Sequence, residues 1–274
     1  MKIAVCLIVF NGKPFIDDWL KHYTECPYID YVCVAEGATR NMVEVLHLPD
    51  AHSNDGTILS LHRYVSHPKV RFVNAVSPYP EKMEQQNAYV DLLPDDTDYI
   101  WVADSDEFYH YHDIKLIRDL IEKEGYTFVE FMAWHFWKRL NTVGIGGDGW
   151  GYNQPIDRIF KYYPGARFLD HRPIKMLDRN GISVKNIKPL TGAMNPVRVF
   201  HYSYISPKNV YEKMLYYTLT FKRNYMDDWY APVWQAWTPE NRSEIESKYS
   251  IHPTVKGATT TDVVLEHPVH FYDL

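Results

Sequence analysis

The sequence has few cysteines, no run of basic residues and no long apolar stretch, and each absence argues against a class of protein. Among 274 residues, only Cys6, Cys26 and Cys33 are cysteines. An odd number without a Cys-x-x-Cys pair argues against a disulfide framework or a cysteine metal site. The formal net charge of -6 gives no clear nucleic-acid signature. No stretch reaches the roughly 20 apolar residues that a membrane-spanning helix needs.

The apolar segment at residues 3–10 resembles a signal peptide only superficially. It is short, and Asn11-Gly12-Lys13 follows it in place of a small-residue cleavage pattern. A buried strand is the better interpretation. Because Cys6 and Cys33 lie in apolar runs, buried free thiols are expected, and a reducing cytoplasm is the predicted location.

Apolar, strand-like segments alternate with helix-like segments through the first half of the chain. Strands are predicted at 3–10, 31–35, 70–73, 99–103 and 126–131. Helices are predicted at 14–23, 57–65, 81–93 and 113–124. This alternation is typical of a mostly parallel, doubly wound α/β sheet.

The pattern loosens after residue 133. A glycine-rich loop is predicted at 143–152, followed by a strand ending at Phe200 and a helix at 207–225. From residue 226 the chain is rich in Trp, Tyr and Pro, which predicts helices and loops packed on the core. No linker or repeat is evident, so one domain with a C-terminal elaboration is the simplest organisation.

Three carboxylates follow the strand predicted at 99–103, in Asp104-Ser105-Asp106-Glu107-Phe108. Ligands of an open parallel sheet bind outside the carboxyl ends of its strands, where Asn11 and Glu36 also lie. Clustered carboxylates repel one another, and Mg²⁺ or Mn²⁺ shared with substrate phosphates is the usual relief. The sequence therefore predicts a cation site, with a solvated loop or helix cap as the alternative.

His201 ends the strand predicted at 197–200 and is followed by Tyr202-Ser203. A neutral imidazole is a suitable ligand for Mn²⁺. A structural hydrogen-bonding role is equally open for a histidine at a strand end. Together with the acidic cluster, His201 gives a predicted metal set of Asp104, Asp106 and His201.

Four segments together resemble family 2 glycosyltransferases of the GT-A fold, over about residues 1–217. They are the strand ending at Asn11 with the helix containing Trp19-Leu20-Lys21-His22-Tyr23, Glu36-Gly37 with Ser53-Asn54-Asp55-Gly56-Thr57, Lys82 with Gln85-Gln86-Asn87, and Trp101-Val102-Ala103-Asp104-Ser105-Asp106-Glu107-Phe108. The last segment matches the Asp-x-Asp motif with its Glu-Phe extension. His201-Tyr202, followed by Lys213, is similar to the family's distal histidine.

The resemblance implies a fold and a division of the chain. The fold would be α/β of the GT-A type, with a Rossmann-like, mostly parallel central sheet flanked by helices. Residues 1–225 would form the catalytic domain, with a nucleotide-sugar half at about 1–110 and an acceptor half at about 126–205. Residues 226–274 would form a helical, aromatic-rich elaboration packed on the same domain.

The resemblance also implies a reaction and its residues. A hexose would move from a nucleoside-diphosphate sugar, with a UDP-sugar favoured, to a hydroxyl of a glycan or other acceptor, with inversion. Asp106 would hold Mn²⁺ or Mg²⁺ on the diphosphate, His201 would complete the metal shell, and Asp104 would contact the ribose or that shell. The other nucleotide-sugar contacts would come from Asn11, Glu36, Asp55, Lys82, Gln86, Ser105 and Arg158.

The chain departs from the family's pattern at the catalytic base. Inverting enzymes use a carboxylate to deprotonate the acceptor hydroxyl, and the usual Glu-Asp pair is not evident here. Asp157 and Asp148 are the candidates, and a surface salt bridge is the alternative for Asp157. Trp134, Trp137 and Trp150 are candidates for lining the acceptor site, with core packing equally open for the first two.

Two other functions remain open at this point. A haloacid-dehalogenase-type phosphatase also carries Asp-x-Asp after a strand, but near the N-terminus and with Thr or Val where this chain has Phe108. A non-catalytic nucleotide-sugar or glycan-binding module is the second alternative, because the base is not identified. The sequence does not determine the oligomeric state.

Overall fold

The computed structural model describes residues 1–147, 154–171 and 174–271. Within these ranges, strands β1 to β13 are Ile3–Val9, Tyr31–Glu36, Val70–Asn74, Tyr99–Val102, Glu107–Phe108, Phe128–Trp137, Arg139–Gly146, Ile156–Lys161, Phe168–His171, Ile174–Met176, Pro189–Leu190, Arg198–Tyr204 and Ala258–Asp262. Helices α1 to α7 are Ile16–Glu25, Arg40–Leu46, Thr57–His62, Lys82–Val90, Tyr111–Glu124, Pro207–Phe221 and Arg242–Lys248. A 3₁₀ helix covers Val184–Asn186, and a π-helix covers Met226–Gln235. Asp148 and Trp150 lie outside the described residues.

Four parallel strands form the N-terminal half of the central sheet, in the order β4-β1-β2-β3. The odd-numbered side chains of β1 pack in one apolar core with α1, and the even-numbered Ala4 and Cys6 pack in a second core with α4. A parallel strand covered on both faces has no solvated side, which explains the continuous apolar run of β1. Val9, Glu36 and Asn74 are register partners, so the residues after these strands meet at one edge.

The other half of the sheet is mainly antiparallel. Strand β8 runs antiparallel to both β4 and β6, and β7 and β13 extend the sheet beyond β6. Strand β12 runs parallel to β6 and antiparallel to β5. The predicted α/β class, with a central sheet flanked by helices, is confirmed. Four of the five strands predicted in the first half of the chain form the parallel group, and the fifth, at 126–131, lies in β6 of the mainly antiparallel half.

The C-terminal elaboration packs an aromatic cluster against the sheet. Trp229, Trp234 and Trp237 are buried with Trp137 of β6 and Tyr204 of β12. Besides the predicted helices, this segment contributes β13, which pairs antiparallel with β7. Local sequence gave no signal for β13, because its pairing partner is distant in the chain. Within the described ranges, no helix has the length and apolar character to cross a membrane.

Gln85 of α4 ties together the ends of the parallel strands. Its amide nitrogen donates to the carbonyl oxygens of Gly37 and Ala35 at 2.8 and 3.0 Å, and lies 3.4 Å from that of Val9. The side chain is buried, so water does not replace these bonds. Gln85 therefore fixes the edge of the sheet at which the polar strand ends meet.

Replacing Gln85 with Met keeps the length of the side chain and removes the donor. We expect the free energy of unfolding to fall by about 1–3 kcal/mol, because buried carbonyl oxygens lose their partner. Urea denaturation followed by circular dichroism measures this change. The exposed Gln235 is the matched control, and equal losses in Gln85→Met and Gln235→Met would refute the role of Gln85.

Candidate functional site

The loop between β4 and β5 brings the acidic cluster to the partner strand β12. Glu107 of β5 lies opposite His201, and the Tyr202 amide donates to the Asp106 carbonyl oxygen at 2.9 Å. As a result, Nε2 of His201 lies 3.6 Å from Oδ2 of Asp106. Two residues that the sequence placed in one metal set are therefore neighbours in the fold.

Arg158 of β8 compensates much of the negative charge in the cluster. Its Nε and Nη2 atoms donate to the two oxygens of Glu107 at 2.7 and 2.5 Å, and Nη2 also reaches Oδ2 of Asp104 at 3.1 Å. Glu107 is fully buried, whereas the Asp104 side chain is 42% exposed. Burial lowers the pKa of Arg158, but the charges of Glu107 and Asp104 outweigh this effect and raise it.

This pairing changes the interpretation of the cluster. The sequence predicted that a divalent cation relieves the repulsion among three carboxylates, and that Arg158 contacts the nucleotide sugar. In the structure the guanidinium binds Glu107 bidentately, the geometry in which an Arg–carboxylate pair is strongest. Arg158 also binds Asp104, so Asp106, which follows Ser105, is the better candidate in this cluster for a ligand.

Asp106 carries a poorly compensated charge. Burial raises its pKa to about 6, and the charge of Asp104 adds to the rise. The positive charges of Lys213 and Arg158 act in the opposite direction. Lys213 is held in place by a hydrogen bond from Nζ to the Ser203 hydroxyl, at 2.7 Å. The Asp106 side chain is 21% exposed, and a partly buried carboxylate with a raised pKa gains from a nearby cation.

The raised pKa of Asp106 predicts how the stability of the apoprotein changes with pH. Because the folded value of about 6 exceeds the ordinary 3.8, the residue stabilises the fold below about pH 4, and this contribution is lost as the pH rises through 6. In metal-free buffer at about pH 8, we expect the free energy of unfolding of Asp106→Asn to be about 2 kcal/mol higher than that of the wild type. The difference should shrink towards pH 4. Urea denaturation at several pH values measures this difference in unfolding free energy. A difference that is independent of pH would show that the pKa of Asp106 is not raised.

A second histidine supports His201 from strand β6. His135 is its register partner in the parallel pair of β6 and β12, and the two Nδ1 atoms lie 2.8 Å apart. Burial, with a contribution from His201, lowers the pKa of His135 well below its usual value. The His135 ring is therefore neutral near pH 7.

The donor atoms at Asp106 and His201 fit a divalent cation that shares its ligands with a substrate. Adjacent ligands of an octahedral ion with bonds of about 2.1 Å lie about 3 Å apart, close to the 3.6 Å between Oδ2 of Asp106 and Nε2 of His201. Within the described ranges, no group of three or more His, Cys, Asp or Glu side chains is arranged to hold a metal. The remaining ligands would be water and diphosphate oxygens, which is the usual arrangement for Mg²⁺.

Asn11 and Glu36, at the ends of β1 and β2, hold the loop that precedes α3. The backbone N–H of Asn11 donates to the Ser53 hydroxyl at 2.9 Å. Its side-chain Oδ1 accepts from the backbone N–H of Asn54, also at 2.9 Å. Oε1 of the fully buried Glu36 accepts from the Ser53 amide at 2.7 Å. Both side chains lie where the sequence predicted, and both are bonded within the protein.

Asp55 belongs to the same loop and connects it to the start of α1. Its two carboxylate oxygens accept from the Lys13 and Thr57 amides at 2.9 and 3.0 Å. The Thr57 hydroxyl in turn accepts from the Gly12 amide at 2.8 Å. We refer to residues 51–57 as the strand-end loop, because these bonds fix it over the ends of β1 and β2.

Helix α4 carries Lys82 and Gln86 beside the same edge of the sheet. Lys82 is the first residue of the helix and is half-buried. Gln86 is fully buried, and its amide interacts with the Tyr89 hydroxyl.

Asp157 lies in a separate group of charges. Its carboxylate is 3.1 Å from Nζ of Lys185, which also binds Glu130 at 2.7 Å. Burial raises the pKa of Asp157. Arg158, the next residue of β8, donates to the Asp157 carbonyl oxygen at 3.0 Å and to Asp104 at 3.1 Å, whereas the Asp157 carboxylate binds Lys185. The other predicted base, Asp148, lies outside the described residues.

A cleft of about 460 Å³ opens beside that group, with Glu130, Met132, Asn195 and Arg198 among its lining residues. Successive strand residues point to opposite faces, so Met132 and His135 lie on opposite sides of β6. The cleft is therefore distinct from the Asp106–His201 pair. Arg198 stacks on Trp134 at 4.6 Å. Trp137, also considered for the acceptor site, is fully buried in the aromatic cluster.

Sequence reasoning missed His135 and the pairing of Arg158 with Glu107. Both depend on which strands become neighbours, and this information is not local. One signal was available, because β6 reads as an apolar run interrupted by His135 and Glu130. A polar side chain inside such a run is costly unless it is bonded, and this marks His135 as a candidate for a specific partner.

Comparison with known proteins bears on the fold. No protein-family model and no curated protein sequence matches the chain. The structure is similar to S. aureus TarS 1-349 in complex with UDP-GlcNAc, with a TM-score of 0.50 and 10% identity over 90% of this chain and 79% of that chain. S. aureus TarS 1-349 itself has a TM-score of 0.49 and 9% identity, over 90% of this chain and 78% of that chain. Its UDP complex has a TM-score of 0.48 and 10% identity, over the same shares of the two chains. The predicted GT-A type of α/β fold is thus confirmed.

Proposed function

We propose that this chain is a metal-dependent glycosyltransferase that takes a sugar from a nucleoside-diphosphate sugar, with a UDP-sugar favoured. The observation that carries the proposal is the Asp106–His201 pair, 3.6 Å apart at the carboxyl ends of the parallel strands of a GT-A fold. Ligands of open α/β sheets bind at this edge. The solved complex of the structurally similar S. aureus TarS 1-349 contains UDP-GlcNAc, which supports the donor class.

In this proposal Asp106 and His201 hold Mn²⁺ or Mg²⁺. When bound, the cation stabilises the negative charge that develops on the leaving nucleoside diphosphate. Asp104 is oriented by Arg158 and is assigned to the ribose or to water molecules around the metal. Arg158 thus acts through Asp104 and Glu107, instead of contacting the nucleotide sugar as the resemblance implied.

The nucleotide is assigned to the space beside the strand-end loop. Asn11, Glu36 and Asp55 shape this loop through their hydrogen bonds, so we expect them to act mainly by positioning its backbone. Gln86 is fully buried, so we expect it to support α4 from inside the fold and not to reach the nucleotide itself. Lys82 adds positive charge at the N-terminus of α4, where anions are favoured.

The acceptor is proposed to be a hydroxyl of a glycan or another compound, with inversion at the anomeric carbon. The hydroxyl must lose a proton to a base. Asp157 is engaged by Lys185 at 3.1 Å, which makes it a poorer candidate than the sequence suggested. Asp148 is therefore the favoured candidate for this role.

A panel of UDP-, GDP- and dTDP-sugars tests the proposal. With Mn²⁺ and no acceptor, we expect slow release of the nucleoside diphosphate by hydrolysis of one donor class, and EDTA should stop it. Release of phosphate from a generic ester would instead indicate a phosphatase. Binding of a nucleotide sugar without any turnover would indicate a non-catalytic module. The exposed Asp119→Asn variant is a control that should behave as the wild type.

A further inference from the structure

We propose that His135 is a positioning residue that fixes the tautomer of His201. The inference rests on the proposed function, specifically on the assignment of His201 Nε2 as a metal ligand. The two Nδ1 atoms lie 2.8 Å apart, which is the length of a hydrogen bond. Two neutral imidazoles share such a contact only if one nitrogen carries the proton and the other offers its lone pair.

The backbone holds the two rings in this arrangement. His135 and His201 are register partners in the parallel pair of β6 and β12, and their ring centroids lie 4.9 Å apart. The neighbouring residues Phe136 and Tyr202 are buried and stack on each other at 4.7 Å. Two adjacent strands with packed flanking residues therefore fix the distance between the imidazoles.

The direction of the shared hydrogen bond decides whether His201 can bind a cation. If His201 donates through Nδ1, its Nε2 keeps a lone pair that faces Oδ2 of Asp106 at 3.6 Å. His135 then accepts at Nδ1 and carries its own proton on Nε2. In the opposite arrangement, Nε2 of His201 carries a proton and blocks the cation. Metal-binding histidines generally need such a partner on the second ring nitrogen.

Two variants of His135 separate this role from simple packing. Leu removes the acceptor, and we expect the affinity for Mn²⁺ in the presence of UDP to fall by about 10–100-fold. Asn places an oxygen near the position of Nδ1 and should restore most of the affinity. Free Mn²⁺ is measured by electron paramagnetic resonance, which does not depend on turnover. His112→Leu, at a side chain that is 78% exposed, is the control.

Nitrogen NMR of the wild type tests the tautomer without any variant. In the presence of Mg²⁺ and UDP, we expect a proton on Nδ1 and a lone pair on Nε2 of His201, with the reverse arrangement in His135. A proton on Nε2 of His201 under these conditions, or wild-type Mn²⁺ affinity in His135→Leu, would overturn the inference. If the expected tautomer and the loss of Mn²⁺ affinity in His135→Leu are both observed but no nucleotide sugar is turned over, the positioning role of His135 is supported and the proposed transferase activity is refuted.

Discussion

The Asp106→Asn variant is expected to lose at least about 10³-fold in kcat/KM for nucleotide-sugar turnover, a loss of about 4 kcal/mol in transition-state stabilisation. The substitution keeps the size of the side chain and removes the charge that faces His201 at 3.6 Å. Initial rates of nucleoside-diphosphate release, measured with Mn²⁺ over a range of donor concentrations, give this value.

The same variant should be more stable than the wild type in metal-free buffer, because the pKa of Asp106 is raised to about 6 by burial and by Asp104. A loss of activity in a more stable protein cannot be explained by unfolding, and such trade-offs are typical of functional sites. Asp119→Asn should change neither property. Turnover by Asp106→Asn within about tenfold of the wild type would refute the role of this carboxylate.

The Arg158→Met variant is expected to lose about 3–5 kcal/mol of unfolding free energy. It leaves the fully buried Glu107 without the two bonds, of 2.7 and 2.5 Å, that it accepts from Arg158. For a chain of this size the thermal midpoint should fall by about 10 °C. Urea denaturation and calorimetry provide the two values.

A double variant separates a broken ion pair from lost packing. Glu107→Gln combined with Arg158→Met removes both charges and keeps an acceptor for the Asp104 amide, which lies 3.2 Å from Oε2 of Glu107. We expect the double variant to recover more than half of the stability lost in Arg158→Met, because the fully buried Glu107 no longer carries an uncompensated charge. Equal stability of the single and double variants would show that packing, and not charge, is what Arg158 supplies.

The strands of the parallel half were predictable because burial on both faces produces continuous apolar runs. The run predicted at 3–10 became Ile3–Val9, and the run at 99–103 became Tyr99–Val102. The acidic cluster was placed correctly at a strand end for the same reason. Helix ends were less well predicted, since the helix expected at 57–65 ends at His62.

The C-terminal half was predicted less well, because its organisation depends on pairings between distant segments. The glycine-rich loop predicted at 143–152 begins as a strand, since β7 continues to Gly146 and pairs with both β6 and β13. Antiparallel partners of this kind are set by the tertiary fold, and glycine alone signals only a permissive backbone.

The candidate site shows the same limit at the level of side chains. The Asp106–His201 pair was predicted from residue types and a family resemblance, whereas its supports, Arg158 and His135, were not assigned to these partners. A sequence shows that three clustered carboxylates need positive charge, but it does not show whether an arginine or a cation supplies it. In this fold Arg158 pairs with Glu107 and Asp104, and Asp106 is the carboxylate for which we propose a cation.

Binding of UDP in the presence and absence of a divalent cation tests the central claim most directly. In a thermal-shift experiment, a ligand raises the midpoint only if it binds the folded state. We expect UDP with Mn²⁺ to raise the midpoint of the wild type, UDP with EDTA to have little effect, and Asp106→Asn to show no response to the cation. An equal shift with and without Mn²⁺, or an unchanged cation response in Asp106→Asn, would contradict a metal-dependent donor site.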